Sequence, residues 1–257
     1  MSHIPLEDDP CDIIGKAMRG LNIDKLDLAT QSGLTEQQIE ALLDGENHPT
    51  ALEKIASPLK LSSRALVELP SYMPNITPPA GMKMIVSPFG HAGVNSYIIY
   101  NSQEALVFDT GTDSAPILNF LTAKNLNVAA LIITHEHHDH ISGIQDFDKA
   151  PIILPGDTQH GQQYEFGGIA FTALDVSGHA TPARAYFIEC LDSPICILGD
   201  AIFAGSMGGT LGPQNYQLAF KTIRENILTL PLDTLIGTGH GPLSSIALEM
   251  EHNPFLL

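Results

Sequence analysis

Four histidines and two acidic residues fall within seven consecutive positions, Thr-His-Glu-His-His-Asp-His at residues 134–140. The preceding residues, Val-Ala-Ala-Leu-Ile-Ile at 128–133, carry no charge and favour a strand buried in a parallel sheet. Imidazole nitrogen and carboxylate oxygen are common ligands of zinc, iron and related ions. A turn at the end of a strand can direct several such side chains to one point, so the segment predicts a metal site. The weaker alternative is a histidine-rich loop in solvent.

Three further potential ligands follow short apolar segments later in the chain. His179 follows the segment at 169–176, Asp200 follows Pro194 to Leu198, and His240 comes shortly after residues 234–236. A glycine stands directly before each of them, and glycine lets the backbone turn sharply at the end of a strand. We therefore expect these side chains to join the 134–140 segment at one edge of the fold.

The motif His-x-His-x-Asp-His at 135–140, followed in order by a lone histidine, an aspartate and Gly-His-Gly, resembles the metallo-β-lactamase superfamily. The resemblance implies two divalent metals, with zinc favoured and iron or manganese also accepted. Three histidines would hold the first metal: His135, His137 and His179. Three residues would hold the second metal: Asp139, His140 and His240. Asp200 would bridge the two, a hydroxide between them would be the nucleophile, and Asp139 is the candidate catalytic residue.

Asp109, in Asp-Thr-Gly at the end of the apolar segment 105–108, is a candidate supporting residue. A metal-bound imidazole usually donates its second N–H to a carboxylate, which fixes the orientation of the ring. The superfamily has an aspartate in this place, so the resemblance implies that role for Asp109; an ordinary Asx turn is the alternative. We expect His91 to be a loop histidine rather than a pocket residue.

Residues 82–257 resemble the glyoxalase II-like branch of the superfamily, the hydroxyacylglutathione hydrolases of the short type. The resemblance rests on Gly-Asp-Ala-Ile-Phe-Ala-Gly-Ser-Met-Gly at 199–208, Gly-His-Gly-Pro at 239–242 and Glu-His-Asn-Pro-Phe-Leu at 251–256. It implies hydrolysis of a small-molecule acyl substrate. Gly209 stands where the family usually has arginine, and the segment after His179 also departs from the family pattern. The acyl substrate therefore stays open among thioesters, esters and lactones.

Residues 1–70 differ in character from the rest of the chain. Between residues 10 and 70 there is no aromatic residue, and apolar residues recur at helical spacing, which predicts five short helices. The run from Leu28 to Gly45 resembles the helix-turn-helix of Cro/repressor-like domains, with a recognition helix at 35–44. That helix carries acidic residues and no Lys or Arg, and residues 1–70 hold 6 basic and 12 acidic side chains. Because phosphate would repel such a helix, DNA binding is not expected, and the predicted role is dimerisation or docking.

Four prolines between residues 69 and 81 predict an extended linker, which we place at 71–81. The chain then alternates apolar strand-like and helix-like segments up to residue 257. The predicted fold is α/β: a four-layer αββα metallo-β-lactamase sandwich at 82–257, preceded by a small all-α helix-turn-helix-like bundle at 1–70. Homodimers formed through the bundle are one expectation from this organisation.

The net charge of −17 argues against a general binder of nucleic acid or anionic membranes, because phosphate contact needs clustered Lys and Arg. Three scattered cysteines, an acidic N-terminus without an apolar signal segment, and no run of membrane-spanning length favour a reduced, cytoplasmic location. The ligand motif and the resemblance to the glyoxalase II-like branch predict a binuclear metallo-hydrolase. Two alternatives stay open: a mononuclear iron persulfide dioxygenase of the same superfamily, and a DNA-binding regulator with a metal-binding sensor domain.

Overall fold

The computed structural model describes residues 4–90 and 93–256. Its first five helices are α1 (Pro10–Leu21), α2 (Lys25–Ser32), α3 (Glu36–Leu43), α4 (Pro49–Ala56) and α5 (Ser63–Glu68). The side chains of Asp24, Thr35 and Ser62 accept hydrogen bonds from backbone N–H groups three residues later, and so fix where α2, α3 and α5 begin. The five helices predicted from the apolar spacing are therefore present. No helix within the described ranges is both long and apolar enough to cross a bilayer.

Two sheets follow the helices, and the first has the strand order β1-β2-β3-β4-β5. Its strands are β1 (Met82–Ser87), β2 (Val94–Tyr100), β3 (Glu104–Phe108), β4 (Asn127–Ile132) and β5 (Ile152–Ile153). Helix α6 (Ala115–Lys124) connects β3 to β4, and the one-turn helix α7 (His138–Ile141) follows β4. Because β3, β4 and β5 run parallel, their carboxyl ends meet at one edge of the sheet.

The second sheet has the order β11-β10-β9-β8-β7-β6. Its strands are β6 (Gln163–Phe166), β7 (Ile169–Asp175), β8 (Arg184–Ile188), β9 (Ile195–Gly199), β10 (Leu235–Thr238) and β11 (Ser244–Ser245). Helix α8 (Pro213–Thr222), extended by a π-helical turn at Ile223–Ile227, connects β9 to β10, and α9 (Ile246–His252) follows β11. Since β9 and β10 are parallel, Asp200 and His240 follow neighbouring carboxyl ends.

Three apolar layers hold these elements together. Phe108, Phe171 and Tyr186 pack between the two sheets, with ring centres 5.3 to 6.1 Å apart. Helix α6 covers the outer face of the first sheet, and helices α8 and α9 cover the outer face of the second. The predicted αββα sandwich is therefore the observed architecture.

Several predicted boundaries were wrong for local reasons. The apolar residues of the sequence predict two strands at 166–171 and 172–176, but the structure has a hairpin, β6 and β7, because Gly167 and Gly168 both adopt positive φ and form its turn. The sequence also predicts a short helix at 141–147, which is split in the structure, with α7 starting at His138 and a 3₁₀ turn at Ile144–Phe147. For the helix at 114–124 the sequence predicts a cap by Ser114; this residue precedes α6, but its hydroxyl donates to the Asp146 carboxylate and does not cap the helix.

Helices α1 to α5 pack on the same side of the sandwich as α8 and α9, and they share one apolar core with them. The residues that follow α5 are also fixed. The Tyr72 hydroxyl donates to Glu249 Oε1 at 2.8 Å, and Glu249 Oε2 accepts from the backbone N–H of Gly205 at 2.9 Å. The division of the chain at residues 70 and 81 stays a prediction, but the two parts are closely packed.

Candidate metal centre

The loop after β4 starts the site. Asp109, at the end of β3, accepts two hydrogen bonds from Thr134, one from its backbone N–H at 2.8 Å and one from its hydroxyl at 2.7 Å. These bonds fix the chain just where it leaves the strand. Helix α7 then places Asp139 and His140 in the interior, while His138 is exposed to solvent. Asp139 and His140 therefore face inward and the adjacent His138 faces outward, although all three lie in one helical turn.

Four predicted ligands form a first cluster whose nitrogen and oxygen atoms all lie within 4.8 Å of one another: His135, His137, His179 and Asp200. His137 Nδ1 lies 3.2 Å from His135 Nε2 and 3.0 Å from His179 Nε2. Asp200 Oδ2 lies 3.3 Å from His179 Nε2. His135 is buried and His137 is exposed, so this cluster opens to solvent on the His137 side.

Three predicted ligands form a second cluster, all buried: Asp139, His140 and His240. His240 Nε2 lies 3.3 Å from Asp139 Oδ2. Asp200 joins this cluster to the first, because its Oδ1 lies 3.2 Å from His140 Nε2 and its Oδ2 lies 3.5 Å from His240 Nε2. The structure thus brings together all seven residues that the sequence singled out as ligands. His91 lies outside the described residues.

Each of three imidazoles is held from behind by an acceptor. Asp109 Oδ2 lies 2.8 Å from His140 Nδ1, as the sequence suggested. The other two acceptors are backbone carbonyls: Gly93 O lies 2.8 Å from His240 Nδ1, and Gly209 O lies 2.7 Å from His179 Nδ1. Because Nδ1 is engaged in each ring, Nε2 points to the shared centre. Sequence analysis missed both carbonyls, since every residue has one and the sequence carries no signal for them.

Burial and opposite charges set the ionisation of the centre. Burial favours the neutral form of Asp200, but the surrounding imidazoles, His140 first among them, hold the pKa of its carboxyl well below its usual range. Burial also opposes charge on His240, but hydrogen bonds with Asp139 and Asp200 raise its pKa to about 10. Burial dominates at His135 and lowers its pKa to about 2, so that imidazole is neutral. Two carboxylates thus attract positive charge to a buried point, where a metal would compete with protons.

Two glycines make this close approach possible. A methyl group on Gly239 would lie 2.0 Å from Asp200 Oδ1, and one on Gly208 would lie 2.0 Å from the Asp200 carbonyl oxygen and 2.8 Å from His179 Nδ1. Any larger residue at either position would displace a potential ligand. The glycines recognised in the sequence therefore provide space at the centre as well as turns.

Comparisons with known proteins agree with this geometry. Residues 90–160 match the family model of the Metallo-beta-lactamase superfamily. The probable metallo-hydrolase YqgX of Bacillus subtilis is 27% identical over 208 residues, which cover 68% of this chain and 98% of the relative. The crystal structure of BLEG-1 B3 metallo-beta-lactamase matches with a TM-score of 0.59 and 26% identity, covering 68% of this chain and 99% of that one. The chain has the metallo-β-lactamase fold.

A second relative carries the name of the hydrolase type that the sequence of residues 82–257 resembles. Hydroxyacylglutathione hydrolase GloC of Haemophilus influenzae is 26% identical over 197 residues, which cover 63% of this chain and 92% of the relative. All three matches cover about two thirds of this chain, a share close to that of residues 82–257.

The N-terminal helices contact the candidate metal centre indirectly, through the loop at residues 203–209. Lys16 Nζ, on α1, donates to the carbonyl oxygen of Met207 at 2.9 Å and lies 5.1 Å from the centre of the Phe203 ring. The Phe203 ring in turn packs edge-on against the His240 ring, with 5.5 Å between their centres. The helical module therefore contacts a residue that touches one of the candidate ligands.

We expect Asp109→Asn to weaken metal binding by about 10- to 100-fold, because the carboxylate that orients His140 is lost. Asp109 has a φ of 57°, and asparagine tolerates this left-handed backbone, so the fold should be preserved. Metal affinity can be measured by competition with a chromophoric chelator. Asp113→Asn, at an exposed carboxylate four residues away, is the matched control and should leave the affinity unchanged. Equal affinities in the two variants would contradict the role given to Asp109.

Proposed function

We propose that the protein is a metal-dependent hydrolase with a binuclear centre. The observation that carries this proposal is the pair of clusters that share Asp200. The donor set also fits a cation, since His140 Nε2 and Asp200 Oδ1 are buried and lie 3.2 Å apart, yet neither atom forms a hydrogen bond of proper geometry with the other or with any other described residue. Buried polar atoms without partners are costly, and metal coordination would satisfy both of them.

In this proposal the first cluster holds one divalent ion, the second holds another, and Asp200 contributes to both. Zinc is favoured by the nitrogen-rich donor set, and iron and manganese are also compatible with it. Two such ions, when bound, supply an activated water near neutral pH and polarise the carbonyl of the substrate. The chain's own residues fix the geometry: Asp109 and two backbone carbonyls orient three imidazoles toward the centre.

Asp139 is the residue we assign to proton handling. Burial opposes the charge on its carboxylate, but the His240 imidazole beside it keeps the pKa of Asp139 below its ordinary value. The carboxylate is therefore ionised near neutral pH and can accept a hydrogen bond from the attacking water. Since His137 and part of His179 reach the surface, the substrate would approach from that side.

The substrate class we propose is a thioester, ester or lactone. The similarity to a hydroxyacylglutathione hydrolase supports acyl hydrolysis, although at 26% identity and with Gly209 in place of the usual arginine. Neither a serine nor a cysteine nucleophile is needed for this chemistry. Of the three cysteines, Cys196 is buried in the second sheet, and burial raises the pKa of its thiol, which makes it a poor nucleophile.

Metal analysis of the purified protein, paired with thioester, lactone and persulfide substrates, tests the proposal. We expect two metal equivalents per chain and hydrolysis that disappears on treatment with a chelator and returns when zinc is added. One iron per chain with oxygen consumption would instead identify a persulfide dioxygenase. A protein that stays inactive and metal-free after zinc or iron is added would contradict both the hydrolase and the dioxygenase proposals.

We propose a structural role for the helical module in place of DNA binding. On α3, which corresponds to the predicted recognition helix, Glu36 and Glu40 are exposed, and Lys25 on α2 is already paired with Glu40 at 2.6 Å. A mobility-shift assay with duplex DNA at low salt should show no complex, because this acidic surface repels phosphate. A shift that weakens as salt is added would favour the regulator alternative.

A further inference from the structure

An apolar groove lies where residues 74–78 cross strand β1, and its volume is about 550 Å³. Nine of its twelve described lining residues are apolar, among them Ile76, Met82, Met84, Val86 and Leu243. Met82, Met84 and Val86 alternate along β1, so their side chains share one face of the strand. Lys83 is the one charged residue in the lining, within the ranges that the structure describes. The groove thus favours an uncharged carbon chain over an ionised group.

The groove and the metal centre share residues and contacts. Pro242 and Leu243, which line the groove, follow shortly after His240 in the chain. On the other wall, a methyl group placed on Gly93 would lie 2.6 Å from Val86 Cγ1, so Val86 packs directly against Gly93. The Gly93 carbonyl is the acceptor that holds His240 Nδ1 at 2.8 Å. One wall of the groove is therefore close to His240 in the chain, and the other contacts the residue whose carbonyl holds the His240 ring.

Two exposed apolar side chains lie near the groove and near the candidate metal centre. Val86 is 41% exposed and Phe89 is 46% exposed. The Phe89 ring lies 5.6 Å from the His240 ring, centre to centre. Large apolar side chains that stay in water beside a concave apolar surface are typical of a ligand-binding site. Here Val86 lines the groove and Phe89 lies beside His240, so exposed apolar side chains are present both at the groove and at the candidate metal centre.

We propose that this groove binds the unbranched acyl chain of the substrate, with the reacting carbonyl at the His240 end. The proposal rests on the proposed hydrolase function and specifies its substrate as an acyl thioester or ester with a medium-length hydrocarbon chain. The thioethers of Met82 and Met84 suit this role, because methionine side chains adapt their shape to flexible apolar ligands. The groove's near lack of charge supports a hydrocarbon occupant rather than a peptide-like leaving group.

A chain-length series tests the proposal. With the zinc-loaded protein and N-acetylcysteamine thioesters from acetyl to decanoyl, kcat/KM should rise about three- to fourfold per methylene over the first additions. Met84→Trp fills the groove and should lower kcat/KM for the octanoyl thioester at least about 20-fold, while acetyl stays within about twofold. Met73→Trp is the matched control, because Met73 is 66% exposed, lies in the segment before the groove and does not line it. It should leave both substrates unchanged.

A binding measurement separates this inference from the proposed function. Calorimetric titration with an N-octanoyl amide, which is not hydrolysed readily, should show binding to the wild type and to M73W but not to M84W. The chain contains no tryptophan, so a blue-shifted emission of M84W, compared with M73W, checks that the new indole occupies the groove.

Each failure has its own signature. Acetyl hydrolysis with a flat chain-length profile and no amide binding would overturn the groove assignment and keep the hydrolase. Amide binding with no hydrolysis of any thioester would keep the groove assignment and overturn the hydrolase. A wild-type dimer that M84W, but not M73W, converts to a monomer would show that a second copy of the chain fills the groove, and it would overturn the inference.

Discussion

Replacing Asp200 by alanine is expected to lower kcat by about 10³-fold or more and to reduce the bound metal below two equivalents. Among the residues that the structure describes, Asp200 is the one side chain within 3.5 Å of ring nitrogens in both clusters, at His179 in the first and at His140 and His240 in the second. Its removal would take an oxygen ligand from each metal of the proposed binuclear centre, and it takes a negative charge from a buried group of imidazoles. Metal content by mass spectrometry and kcat on the best substrate are the two measurements.

Glu136→Ala is the matched control for this prediction. Glu136 lies inside the same histidine-rich segment, yet its side chain is exposed and makes no hydrogen bond or ion pair with the part of the chain that the structure describes. We expect its kcat and its metal content to match those of the wild type. If D200A kept two metals and a kcat within about tenfold of the wild type, Asp200 would not join the two clusters in the way we propose.

The potential ligands were predictable from sequence because their geometry is mostly local. His135 to His140 are adjacent in the chain, and a strand followed by one helical turn is enough to separate inward from outward side chains. His179, Asp200 and His240 each follow a strand of one sheet, and sheets bring strand ends together whatever the loop lengths are. Chemical type, order and a preceding apolar segment therefore marked the 134–140 segment and the three later residues, and the resemblance to the metallo-β-lactamase superfamily selected the seven ligands among them.

The supporting contacts were less predictable. Asp109 could be chosen because a carboxylate after a strand is a recognisable feature. The carbonyls of Gly93 and Gly209 could not, because the backbone is chemically the same at every residue and only the fold decides which carbonyl faces an imidazole. The hairpin turn at Gly167 and Gly168 was misplaced for a related reason, since apolar residues continue on both sides of it.

The packing of the helical module against the rest of the fold also could not be predicted from the sequence. An apolar helix face fits many apolar surfaces, so its spacing predicts a helix but not the partner. Lys16 shows the difficulty: it meets Met207, which is 191 residues away in the chain. A basic residue on a helix with an acidic N-terminal stretch is more often on the surface, and nothing local marks it as part of a contact with the 203–209 loop.

That contact gives the second large prediction: Lys16→Met should lower the free energy of unfolding by about 3 kcal/mol. Lys16 is paired with Asp8, and their side chains are only 14% and 8% exposed. Removing the lysine leaves a buried carboxylate without its cation, and breaking such a pair from one side is strongly destabilising. Asp8 also accepts a hydrogen bond from Ser206, so the loss should extend into the loop at 203–209.

Urea unfolding at a fixed zinc concentration measures this effect, because bound metal itself stabilises the folded state. The double variant D8N/K16M should recover much of the loss, since it removes the unpaired charge as well as the lysine. Lys25→Met breaks an exposed pair in the same module, where the lysine is 44% exposed, and should change the free energy of unfolding far less than Lys16→Met does, because solvent screens the pair. If K16M cost no more than K25M, α1 would not anchor the loop. We expect the loss of stability in K16M and not in K25M. If kcat also falls in K16M and is restored in Lys16→Arg, the helical module would support the candidate metal centre and would not be a separate domain.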